Sequence, residues 1–253
     1  FKRIQESMKK IFKYIFAGMA AMSVVACSED ALETSPSSSV SGNELLGTAT
    51  NALVSLNGVY RAMYTAGVSN SSNTHQCFGI TAYNLVADVM GEDCIMNGQG
   101  SGWFWYDCVY NVKSRYTSTG WRSYDMWNGY YTWISNVNYI LAEEETMSGS
   151  ETEKNYVLGQ AYAVRAYSYF MLAQMFSRTY KGHESEPCVP LYTEPTDIAT
   201  EGKGRATVEE VYQQITSDLD KAITMLGNSG KRKHISHINA VSYTHLRAHE
   251  TPE

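Results

Sequence analysis

The sequence has no excess of positive charge. Lys and Arg number 20 against 26 Asp and Glu, a formal net charge of −6, so the basic footprint of a nucleic-acid-binding domain is missing. Its five cysteines (Cys27, Cys77, Cys94, Cys108 and Cys188) form no C-x-x-C pair and have no suitably spaced histidines beside them, which excludes the usual zinc arrangements. With Cys27 set aside, the other four are read as small buried hydrophobes, with disulfides in an oxidising compartment as the alternative. There is no G-x-S-x-G, no H-E-x-x-H and no phosphate-cradling glycine loop. His75 and His183 stand alone in polar stretches, Glu143, Glu144 and Glu145 make a solvated charge run, and nothing marks a pair of catalytic carboxylates. No catalytic residue, metal or cofactor is assigned. The apolar run from Tyr14 to Ala26, about 13 residues, is too short to span a bilayer.

Aromatic rings are abundant instead, with 19 Tyr and 5 Trp. Such rings carry a polar handle on an apolar body and suit both interhelical packing and binding surfaces. Most Tyr within helical stretches are read as interhelical filler. The stretch from Ser150 to Arg178 organises the chain. Ser150 and Glu153 stand at capping-box spacing, no proline follows before Phe176, and apolar residues occupy two helical faces. A helix apolar on two faces lies between neighbours. Gly159, Ala161, Ala163 and Ala166 permit close helix approach there, and Tyr162, Tyr167, Tyr169 and Phe170 fill the gaps. This pattern predicts an all-α fold of stacked helical hairpins.

Other helices are read from apolar stripes at three- and four-residue steps. One runs from about Ala49 to Tyr64 (Leu53, Leu56, Val59, Tyr60, Met63, Tyr64) and a second ends near Met90-Gly91. A third spans Tyr124 to Glu145 with Asn138 as a buried polar residue. A fourth opens at Thr207, with Glu210 completing a capping box, and closes at Gly227 as the residue past its end. Pro187 to Pro195 is a proline-punctuated connector.

Between the second and third helices, Gly91 to Arg122 holds four successive aromatics, Trp103-Phe104-Trp105-Tyr106, followed by Asp107. In an extended chain these side chains alternate between faces, so some meet solvent, a ligand or a partner. One reading makes Trp103, Trp105 and Tyr106 a platform on which sugar rings stack, with Asp107, Asn111 and Arg115 bonding the hydroxyls. The other has the rings seat the loop on the helices beneath.

The N-terminal stretch is organised differently. Lys9, Lys10 and Lys13 precede the apolar run, which ends in Val24-Val25-Ala26-Cys27, so residues 1–27 are expected to be upstream read-through plus a signal peptide. The ending resembles a bacterial lipobox, whose cysteine is diacylated and becomes the first mature residue; a simple secretory signal cleaved elsewhere is the alternative. Residues 28–48 are Ser-rich and aperiodic, as in a flexible tether, and residues 241–253 are expected to be a non-native tail.

Several motifs resemble the SusD/RagB family of Bacteroidetes nutrient-binding lipoproteins. They are A-x-x-x-R-A-Y-x-Y-F-x-L (Ala161, Arg165, Ala166, Tyr167, Tyr169, Phe170, Leu172) followed by Val189-Pro190-Leu191, W-x-x-x-Y-x-x-I-x-x-x-N (Trp127 to Asn138), and Arg205-Ala206-Thr207 leading to Asp218-Leu219. Residues 49–240 would then be the N-terminal helical domain of a tetratricopeptide-like, SusD-like fold with long irregular loops, the family's C-terminal half being absent. The acidic Glu29-Asp30 after Cys27 resembles a surface-export signal. The resemblance implies an outer-membrane, surface-exposed lipoprotein, anchored through Cys27, that binds a glycan or other nutrient. It would deliver that ligand to a SusC-like TonB-dependent transporter without catalysis. A tetratricopeptide-like interaction scaffold in the cell envelope is the alternative, and a glycan-processing enzyme a more distant one.

Overall fold

The computed structural model describes residues 46–69, 74–110 and 120–230. The signal segment, Cys27, most of the tether and the tail lie outside the described residues. The helices belong to the compact unit that begins at Asn43. They are α1 (Ala49–Ala62), α2 (Ile80–Met90), the single turn α3 (Trp105–Cys108), α4 (Trp121–Ala142), α5 (Glu151–Phe176) and α6 (Val208–Asn228). Among the described residues there is no strand, only two isolated bridges, Thr48 with Ser148 and Pro187 with Thr207. No described helix is long and apolar enough to cross a membrane.

Helix α5 is the centre of the stack, packed chiefly against α4 and α6 and touching α1. Its start is set locally: the Ser150 side chain accepts from the Glu153 N–H while Glu153 accepts from the Ser150 N–H, so two orphan donors are satisfied reciprocally. Burial runs around nearly the whole helix, from Val157 and Leu158 through Ala161 to Ala166 and on to Ala173. The seam with α6 is tight. A Cβ added to Gly159 would stand 2.8 Å from Leu226 Cγ and 3.1 Å from Met225 Cβ. Gly159 is therefore required by the close approach of two helices.

A buried polar network runs through this stack. Arg165, 5% exposed, donates from Nε and Nη2 to the two carboxylate oxygens of Asp218, each at 2.7 Å. Its Nη1 donates to Asn138 Oδ1 at 2.8 Å and to the Thr193 carbonyl at 3.0 Å. Asn138 in turn donates to the carbonyls of Tyr192 and Glu194. One guanidinium thus joins α4, α5, α6 and the connector.

Helix ends shift where tertiary contacts override local pattern. Helix α1 stops at Ala62, and Tyr64 is exposed. Its buried stripe is Ala49, Ala52, Leu56 and Val59, with Met63 at the cap. The chain turns because Gly79, at φ 68°, brings the Ile80 N–H onto the Met63 carbonyl; a Cβ there would lie 2.0 Å from that oxygen. Helix α4 starts at Trp121, three residues before the expected Tyr124, so that Arg122 sits in its first turn. Helix α6 starts with the Thr207–Glu210 capping box but does not close at Gly227. It continues to Asn228, Ser229 donates back to the Leu226 carbonyl, and Gly230 at φ 68° takes the left-handed position. Gly227 has open space around it, so keeping it helical costs only its weak propensity, about 1 kcal/mol.

Of the four described cysteines, all free, Cys77 and Cys188 are buried, Cys108 is intermediate and Cys94 is exposed. The buried-hydrophobe reading therefore holds for two of the four. Burial, reinforced by the nearby Asp125 charge, pushes the Cys77 thiol up to about 12, and burial raises Cys188.

Asp218→Ala leaves a buried guanidinium unpaired and is expected to cost about 3–5 kcal/mol in denaturant unfolding, most of it recovered when Arg165→Met and Asp218→Leu are combined. Gly159→Ala is expected to cost about 1–3 kcal/mol by overpacking the α5–α6 seam, read in the same assay. Among the described thiols, alkylation of native protein followed by peptide mapping should label Cys94 and leave Cys77 and Cys188 unmodified until unfolding, since thiolate fraction and exposure set the rate.

Candidate functional site

The aromatic loop is built on one cation. Arg122, 2% exposed, enters α4 directly after Gly120 and Trp121. Its Nη1 donates to the Gln76 carbonyl at 2.8 Å and its Nη2 to Asp107 Oδ2 at 3.1 Å. A second carboxylate, Asp125 Oδ2, lies 3.9 Å from Nη1. The guanidinium also stacks over Trp121 at 4.2 Å and faces Phe104 at 5.0 Å. Buried arginine without a counter-charge is costly, and Asp107 supplies one from the loop.

Around that anchor the four aromatics divide. Phe104 takes a left-handed backbone, φ 56°, a conformation that costs a non-glycine residue of order 1 kcal/mol and persists only where surroundings hold it. Here its N–H donates to Gln76 Oε1 at 2.8 Å, and its ring turns inward against Phe78 with centroids 6.1 Å apart. The turn of α3 then throws the neighbouring rings outward. Trp103 is 50% and Tyr106 51% exposed, and Trp105 is half-buried. His75 lies beside Trp103 with ring centroids 5.4 Å apart. Tyr110 anchors the far end of the turn by donating to the Met90 carbonyl.

Beneath the loop, a second buried cluster joins it to α2 and α4. Ser69 donates to Asp125 Oδ1, Tyr83 OH donates to the Asp125 carbonyl at 2.9 Å, and Asn128 donates to the Ser69 carbonyl at 2.7 Å. Burial pushes the Asp125 carboxyl above its usual range, opposed by hydrogen bonds from Ser69 and Cys77 and by the Arg122 charge. Next to it, Met90, Met126, Met171, Met175 and Phe176 line an open groove of about 640 Å³ between α2, α4 and the end of α5. Among the described residues no group of three His, Cys, Asp or Glu is placed to hold a metal ion.

The structure thus sorts the residues expected at this site. Trp103 and Tyr106 present rings to solvent and Trp105 does so in part. Asp107 does not: it is 4% exposed and its carboxylate is committed to Arg122. It is placed to seat the loop, because the buried cation needs its charge. Asn111 and Arg115 lie outside the described residues. Sequence reasoning misses Gln76, Phe104 and Arg122 as the loop's anchors. The Arg122–Asp125 spacing of three within a helix is the one local cue to the last of these.

These features define a helical-hairpin stack carrying an aromatic loop between its second and fourth helices. A family model described as SusD-like, starch-binding associating with outer membrane, matches residues 98–244. The match spans more than half the chain, and the chain belongs to this SusD-like family. Solved structures agree on the fold. A SusD-like carbohydrate binding protein from Bacteroides vulgatus superposes with a TM-score of 0.61 at 24% identity, over 82% of this chain and 46% of that one. A SusD superfamily protein from Bacteroides fragilis gives 0.55 at 24% identity, over 70% and 39%. One from Bacteroides thetaiotaomicron gives 0.51 at 19%, over 79% and 44%. The chain therefore spans about half the length, or less, of these structures. No curated protein sequence matches it.

If Asp107 seats the loop, Asp107→Ala should loosen it locally. Limited chymotrypsin digestion, well below the melting temperature, is expected to cut at Trp103–Tyr106 several-fold faster in the variant, while the helical circular dichroism signal is retained.

Proposed function

We propose that this protein captures a glycan on its aromatic loop and passes it to a SusC-like TonB-dependent transporter in the outer membrane, without chemistry of its own. Trp103 and Tyr106, with the exposed part of Trp105, form the stacking surface. Asn111 and Arg115, later in the same loop, serve as hydroxyl partners. A diacylated Cys27 holds the protein at the outer surface of the membrane; the tether that follows it ends before residue 48, the expected boundary, because Leu46 is buried in the core and Thr48 caps α1.

One observation carries this reading: two large rings stand half-exposed on a turn that a buried ion pair holds still. Exposed rings on a fixed support bind at low ordering cost, because little conformational freedom remains to be lost. The family's description supports a glycan ligand and an outer-membrane location. The methionine-lined groove favours a second reading, an interaction scaffold that takes an apolar peptide segment, since methionine surfaces adapt to varied partners.

Isothermal titration with maltodextrin and a panel of other oligosaccharides tests the platform. Trp103→Ala is expected to lose about 1–3 kcal/mol of binding, by analogy with bases stacked on aromatic side chains. Its melting temperature should change little, as for surface substitutions worth within about 0.5 kcal/mol. Loss of stability together with binding in Trp103→Ala and Trp105→Ala would support loop seating and remove the platform. For the anchor, Cys27→Ala should abolish metabolic labelling by palmitate analogues; labelling that survives the change contradicts lipidation there.

A further inference from the structure

Between α5 and α6 the chain crosses α4 as a connector without regular secondary structure, yet five of its carbonyls are taken by helix side chains. Tyr131 OH donates to the Pro190 carbonyl at 2.7 Å, and Asn138 to those of Tyr192 and Glu194 at 2.9 and 3.1 Å. Tyr169 OH donates to the Tyr192 carbonyl, Arg165 to that of Thr193 and Tyr139 OH to that of Thr196. A surface connector satisfies its carbonyls with water at no structural cost. This one is held rigid against the helices, and beside it lies a cavity of about 330 Å³, at the small end of the roughly 300–1,000 Å³ typical of small-molecule sites.

The cavity's lining is specific. Trp127, Tyr131 and Tyr192 supply rings, with Trp127 and Tyr131 centroids 4.9 Å apart and Tyr131 and Tyr192 centroids 6.1 Å apart, edge to face. Ser135, Thr196 and Thr200 bring hydroxyls, and Asp197 a carboxylate. The Thr200 hydroxyl and the Ala199 N–H both donate to Asp197 Oδ1 at 2.9 Å, which orients the carboxylate and holds it below the usual range. No Lys or Arg lines the space among the described residues.

We propose that this cavity is a second ligand site, sized for one neutral pyranose ring whose C–H face lies on the aromatic wall and whose hydroxyls donate to Asp197. An apolar ligand would cover the exposed Asp197 carboxylate and strip its remaining water, which is costly. A sugar acid would meet the Asp197 charge, and the Lys203 ammonium, 5.3 Å from the Tyr192 ring centroid, does not line the space to offset it. The site shares no residue with the aromatic loop and does not depend on the loop's reading.

The test uses the full chain, labelled with ¹⁵N, titrated with millimolar methyl α-glucopyranoside, methyl β-galactopyranoside and methyl α-mannopyranoside, with choline as a cationic control. At least one glycoside should shift the Trp127 indole and the Thr196–Thr200 amides saturably. Asp197→Asn, on an exposed turn that tolerates it, should weaken that binding about tenfold, the worth of one charge-assisted hydrogen bond. Ser135→Leu, which fills the space, should abolish it, and Val54→Ala, exposed on α1 away from both sites, should leave it unchanged. Absence of a saturable shift with all three glycosides overturns the proposal, as do shifts that survive both pocket variants or tighter binding of choline. Failure of the loop platform shows separately, in the Trp103 and Trp105 indole signals.

Discussion

The described structure depends on the burial of Arg165. A guanidinium removed from water costs several kcal/mol unless its donors are satisfied, and here acceptors come from α6, α4 and the connector. Because arginine presents a rigid planar fork, the bidentate pair with Asp218 fixes both the distance and the rotation of α6 against α5. Asn138, accepting from Arg165 while donating to two connector carbonyls, carries the same constraint into α4. The small residues of the α5 seam allow that approach, and the Ser150 and Thr207 capping boxes set where the two helices begin. Packing and charge thus select one register.

The same device recurs at the aromatic loop on a smaller scale. Arg122 is buried, is partnered by a carboxylate from another segment, and also binds a loop carbonyl. Where Arg165 fixes helices, Arg122 fixes a loop that has only one helical turn of its own. Holding Phe104 inward at a left-handed backbone position is what turns Trp103 and Tyr106 outward. Under the proposed function the rings would meet the glycan, while the ion pair seats the loop that carries them.

Legibility in the sequence tracks the range of the determining interaction. Both capping boxes lie within four residues, and the structure contains both as read. The two-faced burial of α5 is visible because periodicity is itself local. Asn138 is recognisable as buried and polar, though not its partners, since Arg165 is 27 residues away and Tyr192 is 54. Gly227 reads as a helix stop because either it or Gly230 fits the local pattern, whereas packing of Leu226 against Gly159 carries the helix past it. The ion pair of Asp107 is not legible, because residue type does not reveal a counter-ion 15 residues further on. Among the loop rings, sequence requires some to face outward, but only the fold shows Phe104 as the one turned in.

Amide hydrogen exchange on the intact protein, with and without a bound oligosaccharide, tests most directly whether a rigid frame presents the aromatic loop to a glycan. The account predicts added protection centred on residues 102–110, with α4, α5 and α6 unchanged because they are already held by the Arg165 network. Protection spread through those helices, or saturable glycan binding that leaves residues 102–110 unprotected, would contradict it.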